Sequence, residues 1–455
     1  MFIRIFTVVV AILCLITFSV NLVHADPNEA DPATFQIVEK MLHEDYAKKT
    51  HVVRTGRLIQ TQPKIIQRIK KMVIQTKSEL VLTSFFCDPE APLTLAIIEG
   101  IRELQATIQD EQKHQLDADH HLPIKLRFLT DRDVGLASWF FGGIASKDAL
   151  VCFADLTKDL DPNIIQMDYS AWEHSSVGAS HGKYVIRDGH EILLPSMNLA
   201  QRTFFETAFT LDSASLAEDL YANFSYLRRQ AHTLFTNFAA PEDGKNPTFP
   251  KVEIQKLNDK EFKKIESEAI VSNRNESGNI LLWSHSNSQD QAFLLLFKSA
   301  QHSIKIITPN LNFKNYVQVF SDALRRGVDV EIVLSHGLAD EFEGTSHLQG
   351  GSNTEVKEKL EAEYAKLQEA ITENDPALGQ LTIRWFTLED GSEPFGPDKN
   401  AHAKFMSIDH SISVFGSANM DTQSWYHSSE LNVILHDPKR TQHWEKTFFN
   451  PMIYR

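Results

Sequence analysis

Apolar and polar positions along this chain fall into a rhythm that runs through once and then begins again. Val52 to Ile59 alternates as a strand does, and Ile65 to Val73 carries apolar residues at helical spacing. Leu80 to Leu82 is a short apolar run of the kind a buried strand shows, ending at Phe85-Phe86. Leu93 to Leu104 then predicts a helix and Ile124 to Leu129 a strand. The second half repeats the order: Ile280 to Trp283 as a strand, Phe293 to Ala300 as a helix, and Ile304 to Ile307 as a strand ending at Thr308-Pro309-Asn310. Tyr316 to Leu324 follows as a helix and Val328 to Leu334 as a strand. Each half has one further strand candidate, Ile164 to Tyr169 or Leu381 to Phe386. Strands alternating with helices of this length predict an α/β fold: two similar α/β/α domains with mostly parallel sheets flanked by helices.

A Pro/Gly-rich break from Ala239 to Pro247 divides the halves. The expected organisation is a first domain over 26–240, a linker region over 241–270 and a second domain over 271–455. A glycine-rich stretch over 336–353, including Gly350-Gly351, precedes an amphipathic helix starting near Asn353. It reads as a surface loop, with a flap over the site as the alternative.

Residues 1–25 do not follow the pattern. Arg4 precedes an apolar run from Ile5 to Phe18, and Val23-His24-Ala25 puts small residues at the −3 and −1 places before Asp26. This predicts a secretory signal peptide and a secreted or periplasmic protein. An uncleaved membrane anchor is the alternative, because the run nearly reaches spanning length. No second stretch reaches it, which excludes a multispanning protein. Cleavage would remove Arg4 and no acid, taking the formal charge from −15 to −16. So acidic a chain is a poor non-specific binder of polyanions, which disfavours nucleic acid as partner. Only Cys87 and Cys152 remain beyond Cys14, so there is no disulfide framework; a single bond or two buried thiols both stay open.

The chemistry is carried by a repeated string. His181-x-Lys183-x4-Asp188 recurs as His402-x-Lys404-x4-Asp409, and fifteen residues after each histidine stands an S-x-N triplet, Ser196-Met197-Asn198 or Ser417-Ala418-Asn419. One such string could arise by accident in a chain of this length; two with matched tails point to a duplicated half-site.

These residues resemble the phospholipase D superfamily, whose members set two such motifs face to face across a pseudo-twofold axis to make one phosphodiester site. The resemblance spans most of the chain. It is specific for reaction class and weak for substrate, since phospholipases, phospholipid synthases and nucleases share it. It implies a phosphodiesterase working on a phospholipid or membrane surface, with water or an alcohol as acceptor and a complete site in one monomer.

Two histidines suit that chemistry. One neutral imidazole attacks phosphorus to give a phosphohistidine, and the other, protonated, serves the leaving alcohol and then deprotonates the acceptor. Precedent among the family's phospholipases assigns His181 as nucleophile and His402 as acid, although the sequence itself does not decide. Lys183 and Lys404, with Asn198, Asn419 and the Ser196 and Ser417 hydroxyls, can bind the phosphate oxygens, so no metal and no cofactor is expected. In the family a carboxylate beyond the asparagine often fixes each histidine's tautomer. Glu430 fits that place in the second copy; Glu206 is the expected partner of His181, with Asp212 as fallback. Asp188 and Asp409 read as structural members of the motif. The first copy departs from the family at Pro195, in place of glycine, and at Ala200, where the second copy has Asp421.

Other features weigh less. Trp139 to Ile144 gathers aromatic residues beside two glycines, either a buried segment or a lipid-dipping loop. His120-His121 reads as an exposed polar loop rather than a metal site. Asn223-Phe224-Ser225 and Asn275-Glu276-Ser277 match the glycosylation pattern.

Overall fold

The computed structural model describes residues 32–449 apart from 115–121, 132–150, 154–155, 157–158, 173–178, 202, 239–265, 275–286, 339–350, 373–376, 389 and 397–398. The leader over 1–25, His120-His121, Trp139 to Ile144, the break over 239–247, Asn275, the strand at Ile280 to Trp283 and most of the glycine-rich stretch lie outside the described residues.

The first half holds β1 (Thr50–Gln60), β2 (Glu79–Ser84), β3 (Ile124–Asp131), β4 (Ile165–Trp172), β5 (Ala179–Ser180), β6 (Tyr184–Arg187), β7 (Glu191–Pro195), β8 (Thr207–Asp212) and β9 (Ala231–Thr236). The second holds β10 (Glu266–Arg274), β11 (Ser303–Thr308), β12 (Asp329–Leu334), β13 (Leu381–Trp385), β14 (Phe405–Ile408), β15 (Ile412–Gly416) and β16 (Ser428–His436). The helices are α1 (Ala33–Tyr46), α2 (Gln62–Ile74), α3 (Pro92–His114), α4 (Ala214–Arg228), α5 (Ser288–Ser299), α6 (Asn315–Arg325), α7 (Asn353–Ala370), α8 (Thr422–Tyr426) and α9 (Pro438–Phe449). None of the described helices is long and apolar enough to cross a membrane.

The strands form one sheet in the order β13-β12-β11-β14-β15-β16-β10-β1-β8-β7-β6-β2-β3-β4-β9. Up to β4 the order reads the same from both ends about the β10/β1 pair, so the pseudo-twofold axis passes between these two antiparallel strands. Along this path, parallel pairing is confined to β2, β3 and β4 and to β11, β12 and β13; off it, β5 pairs parallel with the start of β16. The rest of the main path is antiparallel, which corrects the mostly parallel expectation. The physical reason is local. The β6–β7 and β14–β15 connections are three-residue hairpins whose first two residues, Asp188-Gly189 (φ 52° and 71°) and Asp409-His410 (φ 50° and 55°), are all left-handed, as a type I′ turn requires.

Two elements also reach across the expected divisions. β10 crosses the expected linker edge at residue 270. Helix α1 belongs to the second half's core, with Phe35, Val38 and Leu42 packed among residues of α5, α6 and β11. A separate core covers the outer first-half strands. A third is shared between the halves: Phe209 of β8 stacks on Phe415 of β15 at 4.1 Å and meets Trp444 of α9 edge-on. Such pairs add about 0.5–1.5 kcal/mol each beyond the area they bury, so the two halves are fused rather than merely adjacent.

Cys87 and Cys152 form a disulfide, which settles the open alternative. It closes a sequence separation of 65 residues, worth about 4 kcal/mol in the chain-entropy account. It also braces the site, because Cys87 follows Phe85-Phe86 and bridges to Leu199, the neighbour of Asn198.

Candidate active site

The two histidines stand in short segments that lead into β6 and β14, and each segment is tied to the opposite half. The His181 N–H donates to the Ser429 carbonyl (2.9 Å), continuing the pairing of β5 with the start of β16. The His402 N–H donates to the Phe205 carbonyl (3.0 Å), and the Phe205 N–H to the Asn400 carbonyl (2.8 Å). Ser429 precedes Glu430 and Phe205 precedes Glu206, so this backbone pairing sets each histidine beside the other half's glutamate. His181 Nδ1 lies 2.9 and 3.1 Å from the Glu430 carboxylate oxygens; His402 Nδ1 lies 3.0 and 3.2 Å from those of Glu206.

The expected pairing of His181 with Glu206 is therefore corrected: the partners are exchanged between the halves. Asp212, the fallback, instead binds Arg54 and His190. A carboxylate accepts but does not donate, so each Nδ1 carries a proton and each Nε2 is turned to the chemistry, as a lone pair in the neutral ring and as an N–H in the imidazolium.

Burial sets the charges. It pushes His181 down to about 4, with the Lys183 and Lys404 ammonium groups adding to the effect against the pull of Glu430. His402 is lowered by the same causes, against the pull of Glu206. Burial, then the neighbouring Lys404, holds Lys183 well below the usual lysine range. On its own, burial would raise Glu206 and Glu430, but the facing histidine and lysine outweigh it and keep both below the usual glutamate range. The influence of Lys404 on His181 and of Lys183 on His402 places both motifs around one centre. Each ammonium donates to the carbonyl of its own histidine, at 2.9 Å for Lys183 and 2.8 Å for Lys404. Glu206 and Glu430 already oppose this charge, and an entering phosphodiester anion would add to the counter-charge around the buried cations.

The serines do not turn toward a phosphate, as the sequence suggested. Ser417 Oγ donates to Glu430 Oε2 (2.5 Å), and Ser196 Oγ donates to Glu206. They hold the glutamates that hold the histidines. Of the asparagines, Asn419 gives its Nδ2 to Asp421 (3.1 Å), so that donor too is already engaged. Asn198 faces Ala200 where Asn419 has Asp421, and the Oδ1 atoms of both are buried without a hydrogen-bond partner among the described residues.

The motif aspartates lie at the far ends of β6 and β14 from the lysines. Asp409 accepts the backbone N–H groups of Gln301, His302 and Ser303, and Asp188 those of Lys77, Ser78 and Glu79. Each fastens the motif hairpin to the start of its neighbour, β11 or β2. Replacing Asp409 by alanine leaves buried donors unmet and strains a left-handed turn. We expect a loss of about 2–3 kcal/mol in denaturant unfolding, with the activity per folded molecule little changed.

Gly416 is required by packing, since a Cβ there would meet the Leu431 carbonyl oxygen at 2.3 Å. Pro195 is the last residue of β7, opposite Ala208, and the Ser196 N–H beyond it still donates to the Thr207 carbonyl (2.8 Å).

Three residues of the site were not singled out from the sequence. Phe85 meets His181 edge-on with ring centroids 5.2 Å apart, and Phe204 stacks on His402 at 4.9 Å. Ser424 Oγ donates to Glu430 Oε1 (2.7 Å). Only Ser424 had a local signal, as the third residue after the helix-capping Asp421.

Residues 294–452 match the family described as cardiolipin synthase, PLD-like domain. No curated protein matches the chain. Among solved structures the chain is similar to phosphatidylserine synthase from Haemophilus influenzae, at 14% identity over 93% of this chain and 91% of that one, with a TM-score of 0.57. It is also matched to polyphosphate kinase from Porphyromonas gingivalis, at 12% identity over 89% of this chain and 52% of that one, with a TM-score of 0.43. The first likeness shows the shared fold over nearly the whole chain.

Proposed function

We propose that this chain is an exported phosphodiesterase of the phospholipase D superfamily that hydrolyses or transfers the headgroup of glycerophospholipids through a phosphohistidine. The observation that carries the reading is the pair of His–Lys motifs with exchanged glutamates, which puts two tautomer-fixed imidazoles and two buried ammonium groups around one centre.

His181 Nε2 attacks phosphorus while the P–O bond to the headgroup breaks, and the proton on His402 goes to the leaving oxygen. His402 then takes the proton of water or an alcohol, whose oxygen displaces His181 and releases phosphatidic acid or the exchanged lipid. Lys183 and Lys404 oppose the charge on the non-bridging oxygens, the work a metal performs in other phosphoryl-transfer sites. Transfer to an alcohol, in the manner of a phosphatidyltransferase, is favoured by the match of residues 294–452 to a cardiolipin synthase domain. Export rests on the leader pattern and on the Cys87–Cys152 bond, which suits an oxidising compartment.

The test is incubation of the chain from Asp26 onward, in a chelator, with mixed phospholipid vesicles with and without ethanol, and with single-stranded DNA. A Lys404→Ala variant is the control. Phosphatidic acid without ethanol and phosphatidylethanol with it, both abolished in the control, are expected. Nucleotides released from DNA with lipid unchanged would move the chain to the nuclease branch.

A further inference from the structure

The two half-sites are not equivalent, and the difference is concentrated in α8. In sequence, Glu206 follows Asn198 by eight residues and Glu430 follows Asn419 by eleven, and Ala200 stands where the second half has Asp421. The second half inserts a short helix, capped by Asp421, whose Oδ1 accepts the Ser424 N–H at 2.7 Å. This puts the Ser424 hydroxyl 2.7 Å from Glu430 Oε1, while the same Oγ accepts the Asn419 N–H at 3.1 Å. Among the described residues, Glu430 is thus held by His181 and by two hydroxyls, Ser417 and Ser424, and Glu206 by His402 and the hydroxyl of Ser196.

We propose that Ser424 is a positioning residue that makes the two histidines unequal: by saturating Glu430 it weakens that carboxylate as a partner for the His181 imidazolium, keeping His181 neutral and nucleophilic while His402 keeps the stronger counter-ion. The inference rests on the phosphodiesterase reading for its consequence, but not for its geometry. A carboxylate that accepts two hydroxyl protons spreads its charge and attracts a third proton less. The other charged groups facing the pair are Lys183 and Lys404, with Arg274 opposite Glu430 in the β10–β16 ladder and Asp290 of α5 beside it. These stay in place when Ser424 is replaced, so a change in titration at His181 reports on the hydroxyl.

The experiment is nitrogen NMR of the histidine-labelled full chain, with the His181 signal identified by its loss in His181→Gln, followed from acid to neutral pH in the wild type, Ser424→Ala and Ser424→Thr. In Ser424→Ala the His181 midpoint should rise by about one pH unit, the His402 midpoint should move far less, and Ser424→Thr, which keeps the hydroxyl, should restore the original value. The acid limb of kcat/KM for headgroup release should rise with the His181 midpoint. A His181 midpoint unmoved by Ser424→Ala, an equal movement of both histidines, or no restoration by threonine would overturn the proposal. If the wild type releases no headgroup from any vesicle, the phosphodiesterase reading fails while the titration still judges Ser424.

Discussion

Replacing His181 by alanine is expected to lower headgroup release by about 10³-fold or more and to abolish any covalent phosphoenzyme, because the attacking nitrogen is gone. Replacing His402 should cost a similar factor with a natural phospholipid but far less with a p-nitrophenyl phosphodiester, whose leaving group departs without a proton. The second step still needs a base to deprotonate water. His402→Ala should therefore release one equivalent of p-nitrophenolate in a burst and then stall as the phosphohistidine, visible as added mass on the intact chain. The expectation follows from the unequal partners of the two imidazoles. His181 is pushed down to about 4, first by burial, so it is neutral and ready to attack across the working range. A burst in His181→Ala with none in His402→Ala would reverse the two roles.

The paired strings made the site's composition readable in the sequence because spacing along one chain survives folding unchanged. His181, Lys183, His402 and Lys404 were visible for that reason, and the strands β2, β3, β11 and β12 because each is a short buried run flanked by helical periodicity. What spacing does not carry is which half a side chain meets. Glu206 was assigned to His181 because both belong to the first copy, yet the lead-in to His181 pairs with Ser428-Ser429 across the axis and so reaches Glu430. The roles of Ser196 and Ser417 turned for the same reason: only the folded chain shows that a glutamate stands nearer to them than a phosphate would. The antiparallel centre of the sheet did have a signal, since Asp188-Gly189 between two apolar runs is a hairpin turn by its residue types. The helical rhythm of the outer strands obscured it. Helix α1 had none, because an amphipathic helix does not declare which core it will cover.

The exchanged glutamates give the second large expectation, and it distinguishes this architecture from two self-sufficient halves. Glu430→Gln keeps an acceptor for the His181 Nδ1–H but removes the charge that stabilises its imidazolium, and Glu206→Gln does the same for His402. The analogous neutralisation in a serine-protease triad costs about 10⁴-fold, and here we expect about 10²–10⁴-fold from either change. Both changes move the profile to lower pH, but on different limbs. Glu206 raises His402, so its loss lowers the midpoint of the group that must be protonated, and the alkaline limb moves to lower pH. Glu430 raises His181, so its loss lowers the midpoint of the group that must be neutral, and the acid limb moves to lower pH. Double-mutant cycles on kcat/KM then read the wiring directly. Glu430→Gln should add almost nothing to His181→Ala, since the carboxylate acts through that imidazole, but should add its full cost to His402→Ala. Glu206→Gln should show the mirror pattern. Coupling of Glu206 to His181 would mean that each half completes its own dyad, and the exchange across the axis would be wrong. The crossed pattern would mean that neither half is a site alone: each supplies the imidazole that the other's carboxylate orients, and the shared core around Phe209 and Phe415 is then what holds the reacting groups in register.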